Sequence, residues 1–107
     1  MTKISNFTLS QQLHQRMTTH GLTLALAESC TGGMVSEAIT RISGASDYFH
    51  CGFITYCNQS KQRELGVAES ILTNDGAVSP ACANAMAQGA LARSGCDIAL
   101  SITGIAG

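Results

Sequence analysis

A chain of 107 residues, 45% of them hydrophobic, is long enough for one compact domain with a core and too short for two ordinary ones. Six Lys and Arg stand against seven Asp and Glu, so no basic field draws nucleic acid and no charge run marks a tail. No stretch approaches the roughly 18 uninterrupted apolar residues of a membrane span, and the N-terminus lacks the apolar core of a signal peptide; both point to a cytoplasmic protein without membrane contact.

Leu9, Leu13 and Met17 recur at helical spacing and predict a helix from about Thr8 to His20, packed by that one stripe and stopped by Gly21. LTLALA, residues 22–27, is an apolar run too short for a typical helix and predicts a strand buried on both faces. The chain then turns through AESCTGG. Met34, Val35, Ala38, Ile39 and Ile42 form a second helical stripe that closes at Gly44, and GFITY, residues 52–56, predicts a second strand.

NQSKQRELG reads as a short polar helix with Leu65 inward, and ESILTNDGA as a helical turn or two. SPACANAMAQGALARSG is a helix with Ser79 as N-cap, Pro80 in the first turn and Gly95 as its stop. Ile98 to Ile102 is a third strand. Strands alternating with helices predict an α/β fold with a largely parallel sheet. LALAESCTGG and IALSITGIAG each run from an apolar strand into Ser, Thr and Gly at its carboxyl end, the edge where open α/β sheets bind ligands.

Five cysteines (Cys30, Cys51, Cys57, Cys82, Cys96) show neither a C-x-x-C pair nor a zinc-finger histidine, and read as reduced core or site-lining thiols. Ser29 is followed by Gly32, Gly33 and a helix whose first-turn N–H groups attract negative charge. Plain capping, phosphate binding and a nucleophilic serine all remain open for this loop, which matches neither Walker A nor G-x-S-x-G.

A serine nucleophile needs a base, and His14, His20 and His50 all fall away from the carboxyl ends of the strands. Lys61 is the remaining candidate, although its polar neighbours, CNQSKQREL, predict a solvated amine. A lysine base requires dry surroundings, because the ordinary lysine value of about 10.4 leaves almost no neutral amine at pH 7. Glu28 is either a buried acid orienting the loop or an exposed turn residue. Thr31 and Thr103 are hydroxyls on the two small-residue loops, and Asp47 and Asp97 read as turn residues.

AESCTGG, then GFITYCNQSK, GAVS and SITGIAG in that order, closely resemble the C-terminal domain of the CinA (competence/damage-inducible) family. The likeness runs from about residue 9 onward. It implies a three-layer α/β/α sandwich and, from the stand-alone members of the family, deamidation of nicotinamide mononucleotide by a serine amidohydrolase of Ser/Lys type. By that resemblance Ser29 is the nucleophile, and Lys61, directly or through the Tyr56 hydroxyl, its base. Backbone N–H groups of residues 30–33 would form the oxyanion hole. Glu28, Cys30, Thr31, Gly32, Gly33, Thr103 and Gly104 would contact the substrate. No metal or organic cofactor is required, and a homo-oligomer is expected.

Family members continue past GIAG with further strand and a closing helix, so the resemblance also implies that this chain is truncated within a single domain. The rival functions are a non-catalytic nucleotide- or phosphate-binding module and an inactive fragment of the enzyme.

Overall fold

A computed structural model describes residues 3–105. The first helix, α1 (Asn6–His20), starts two residues ahead of expectation because the Ser5 side chain accepts a hydrogen bond from the Thr8 N–H and caps it. Gly21, at φ 66°, closes it with an N–H bond to the Met17 carbonyl. Of the expected stripe, Met17 is buried and Leu13 half-buried, whereas Leu9 stays 47% exposed.

The strand β1 (Leu24–Glu28) is buried along its whole length, as the apolar run predicts. It lies at the centre of a three-stranded sheet of order β2-β1-β3, with β2 (Phe49–Ile54) and β3 (Ile98–Ile102) both parallel to it. Helix α2 (Met34–Thr40) ends before Gly44, and a 3-10 turn at Ala45–Asp47 leads into β2.

That strand begins earlier than expected. Leu24 already pairs with Phe49, and a register shift then sets Ala25 opposite Cys51, so His50 falls within the strand and at its irregularity. Thr55 and Tyr56 lie beyond the strand, although the Thr55 N–H still reaches the Glu28 carbonyl at 2.9 Å.

Helices α3 (Asn58–Leu65), α4 (Glu69–Asn74) and α5 (Pro80–Ser94) follow. Alternate β1 side chains point to opposite faces. Leu24 and Leu26 pack with Met17, Ile39 and Tyr48 beneath α1 and α2, while Ala27 packs with Leu65, Cys82, Met86 and Ala90 beneath α3 and α5. The result is the expected three-layer α/β/α arrangement. Full burial of side chains such as Leu26 and Met86 contributes about 1.5–3 kcal/mol each.

Gly89 lets α5 lie directly on the end of α3. A Cβ at that position would sit 2.0 Å from the Leu65 carbonyl oxygen. This close approach fixes α3, and therefore Lys61, against the core.

Candidate active site

With strand order β2-β1-β3, the chain leaves β1 toward one side and returns past it to reach the other. The loops after β1 and β2 lead to α2 and α3 on opposite faces of the sheet, which opens a crevice at its carboxyl edge. The two look-alike segments lie side by side: Leu24 pairs with Ile98, Leu26 with Leu100 and Glu28 with Ile102. Ser29 and Thr103 then leave neighbouring strands at the same level. A cavity of about 150 Å³ opens there, lined by Ser29, Cys30, Tyr56, Asn58, Lys61 and Thr103, together with Ala77 and Gly104.

Ser29 is 5% exposed and its N–H is held by the Ile102 carbonyl at 2.9 Å. No residue other than glycine has a positive φ among the described residues, so Ser29 does not occupy a strained elbow. Its Oγ donates to the Tyr56 carbonyl at 3.4 Å, and Lys61 Nζ donates to the same oxygen at 3.2 Å. The Tyr56 main chain thus joins the serine to the lysine. Its side chain is 63% exposed, and its hydroxyl makes no hydrogen bond among the described residues.

The solvated lysine predicted from local composition is corrected by the fold: Lys61 is 2% exposed. Its polar neighbours occupy the outer face of α3, while Lys61 and Leu65 share the inner face four residues apart. Among the described residues no carboxylate pairs with it. Thr55, also buried, has an Oγ1 without a partner there.

Glu28 is fully buried at the end of β1 and serves the protein's own loop. One carboxylate oxygen accepts from Thr31 Oγ1 at 2.7 Å and the Val35 N–H at 2.9 Å. The other accepts from the Ser36 N–H at 2.8 Å and Ser36 Oγ at 2.5 Å. Burial alone would raise its pKa, but hydrogen bonds from the Ser36 and Thr31 hydroxyls and from the Val35 and Ser36 amides outweigh burial and hold it below the usual carboxylate range.

The negative charge that the first turn of α2 attracts is therefore supplied from within, by Glu28. Glu28 and Thr31, both expected at the substrate, contact each other, and Glu28 also holds the first turn of α2. Left free on the loop are the N–H groups of Cys30, Thr31 and Gly33, which meet no acceptor among the described residues. Gly32 (φ 61°) and Gly33 (φ 112°) give the loop its left-handed turns, and line no part of the cavity.

On the opposite wall, Thr103 Oγ1 donates to the Ala77 carbonyl at 2.8 Å, and Gly104 approaches Cys30 so closely that a Cβ would lie 3.2 Å from its sulfur. Sequence reasoning missed Asn58, the first residue of α3 and the asparagine of the same pattern that carries Tyr56 and Lys61. Its spacing, three residues before Lys61, was the available signal. Among the described residues no group of three His, Cys, Asp or Glu could hold a metal ion, and no helix is long and apolar enough to cross a membrane.

The chain is 55% identical over 100 residues to a CinA-like protein of Syntrophotalea carbinolica, covering 94% of this chain and 24% of that protein. It is 51% identical to a putative competence-damage inducible protein of Symbiobacterium thermophilum, with the same coverage. Among solved structures, the competence/damage inducible protein CihA of Agrobacterium tumefaciens superposes with a TM-score of 0.93 at 42% identity, over 100% of this chain and 66% of that one. A CinA superfamily protein of Escherichia coli superposes at 0.94 with 35% identity, over 96% and 60%. The chain thus spans about a quarter of the length of these curated relatives, and about two thirds or slightly less of the solved ones. The family model described as the CinA C-terminal domain matches residues 6–107, and the chain belongs to that family.

Proposed function

We propose that this chain carries a serine amidohydrolase site that deamidates nicotinamide mononucleotide to nicotinate mononucleotide and ammonia in the cytoplasm. The observation that carries the reading is the shared Tyr56 carbonyl, which holds Ser29 Oγ and the buried Lys61 amine on one oxygen atom. Both groups share one acceptor, and the reading requires Ser29 Oγ to exchange that carbonyl for Nζ. Lys61 Nζ then takes the hydroxyl proton as Oγ bonds to the carboxamide carbon.

The oxyanion that forms meets the free N–H groups of the 30–33 loop, a kind of contact worth about 3–4 kcal/mol per donor. Collapse breaks the carbon–nitrogen bond, and Lys61 returns the proton to the departing ammonia. Water then attacks the acyl carbon and releases the carboxylate with Ser29 restored. The cavity, about 150 Å³, is smaller than the roughly 300 Å³ of a complete small-molecule site, which fits part of the nucleotide rather than the whole.

The phosphate-binding alternative draws no support from the first loop, where Glu28 already fills the anion position. The test is ammonia release from nicotinamide mononucleotide by the chain and by Lys61→Met, whose melting temperature checks the fold. Turnover that Lys61→Met lowers by about 10³-fold or more supports the reading. Undiminished turnover in that variant, or none in the unaltered chain, contradicts it.

A further inference from the structure

Thr55 follows Ile54, the register partner of Glu28, and therefore stands beside Ser29; its N–H bond to the Glu28 carbonyl carries the ladder that far. On the other side of β1, Ile102 pairs with Glu28 and Thr103 follows it. Thr55, Ser29 and Thr103 thus form a row of three hydroxyls across the carboxyl edge of the sheet. The faces follow from strand alternation. Phe53 packs against the cluster that holds Leu65 and Cys82, beneath α3 and α5. Ile54 turns to the α2 side, where its Cδ1 lies 3.2 Å from the place of a Cβ on Gly33. Thr55 turns back under α3 and is 1% exposed. Ser29 bonds to the Tyr56 carbonyl and Thr103 to the Ala77 carbonyl, whereas Thr55 Oγ1 has no partner among the described residues.

Lys61 is buried on the inner face of α3, above that end of the sheet, and donates to the carbonyl of Tyr56, the residue after Thr55. That is its one hydrogen bond among the described residues. An ammonium group has three N–H donors, and leaving them unpaired away from water is costly. In the mechanism above, Nζ holds the Ser29 proton from its removal from Oγ until its delivery to the departing nitrogen, so its need for acceptors peaks in mid-reaction. Cys82 also lies near Lys61, but burial pushes its thiol up by more than the Lys61 charge pulls it down; it stays a thiol, a weak acceptor. The Thr55 hydroxyl is a better acceptor on the same face, and it is unused.

We infer that Thr55 is a positioning residue for Lys61: its Oγ1 accepts a hydrogen bond from Nζ while that atom holds the Ser29 proton. The inference rests on the Ser29 and Lys61 roles proposed above. Buried hydroxyls are ordinarily paired, and one left unpaired destabilises the resting fold. A bond made only once the proton has moved favours the reacting state over the resting one, which is where an interaction accelerates a reaction. Stability and rate should therefore respond to Thr55 in opposite directions, as a hydroxyl retained for folding would not allow.

The test compares Thr55→Val, which keeps the shape without the hydroxyl, and Thr55→Ser, which keeps the hydroxyl, with the unaltered chain and Lys61→Met. Three quantities are read: melting temperature, kcat and KM for ammonia release, and the rate at which methanesulfonyl fluoride modifies Ser29, followed by intact mass. In that modification Oγ bonds to sulfur, fluoride leaves and Nζ takes the hydroxyl proton, so it probes the serine and its base whatever the natural substrate. The expected result is that Thr55→Val melts no lower than the unaltered chain, lowers kcat and the modification rate by about tenfold or more, and leaves KM within about twofold. Thr55→Ser should recover both rates to within about threefold, and Thr55→Val should slow modification no further once Lys61→Met is present. Modification slowed by Lys61→Met but not by Thr55→Val overturns the inference and leaves the proposed function standing. A lower melting temperature with losses that Thr55→Ser does not recover, or a Ser29 that stays unmodified in the unaltered chain, also overturns it. Absent ammonia release, with modification slowed by both substitutions and recovered by Thr55→Ser, upholds the inference and overturns the substrate.

Discussion

The loops that follow β1 and β3 begin from similar sequences in adjacent, registered strands, yet they are built differently. The first is closed on itself. Glu28 ends the strand, and its carboxylate gathers two amides and two hydroxyls from the residues that follow. In the second, Ile102 occupies the level of Glu28, and among the described residues a single side-chain bond, from Thr103 to Ala77, holds the loop. A strand-to-helix turn becomes rigid when a buried charge satisfies the helix it enters. Where no such charge is present, the loop depends on what packs against it.

The largest expected contrast is catalytic. Ser29→Ala is expected to lower ammonia release by about 10³-fold or more with an unchanged melting temperature, whereas Thr103→Ala, at the matching position, lowers it by about tenfold or less. Equal losses would erase the distinction between the loops.

Stability separates them next. Glu28→Ala leaves the Val35 and Ser36 amides and two hydroxyls without their acceptor, and is expected to cost about 3 kcal/mol or more in urea unfolding, against about 1 kcal/mol for Thr103→Ala. The contribution of Glu28 also has a sign in pH. Its folded pKa lies below the ordinary value, so its stabilisation is complete above that ordinary value and is lost as pH falls through the folded one. Glu28→Gln should flatten this acid limb of the stability profile.

The smallest contrast concerns glycine. Gly33→Ala combines a φ of 112° with a Cβ 3.2 Å from Ile54 Cδ1 and is expected to cost about 1–3 kcal/mol. Gly104→Ala meets, among the described residues, only the movable sulfur of Cys30, also at 3.2 Å, and is expected to cost less than about 1 kcal/mol by the same unfolding measurement.

Much of the fold was legible because its signals are local. Gly21, Gly66 and Gly95 end helices where the sequence placed them, Ser79 caps α5, and the run from Ile98 to Ile102 is the strand expected of it. The start of β2 was not legible, because pairing with Leu24 and the register shift behind it are decided across the sheet. Lys61 was hidden for a similar reason. Its immediate neighbours are polar, and only the approach of α5 at Gly89 turns its face of α3 inward. The orienting role of Glu28 stood as one of two alternatives until its partners, seven and eight residues onward, were seen to converge on it.

The most direct test of the central claim is a rapid acid quench of the chain during reaction with nicotinamide mononucleotide, followed by intact mass measurement and peptide mapping. The account predicts an acyl adduct, heavier than the chain by the substrate less ammonia, on the peptide that contains Ser29 and at that residue. Turnover with the adduct on Cys30, or with Ser29 never acylated, would contradict it.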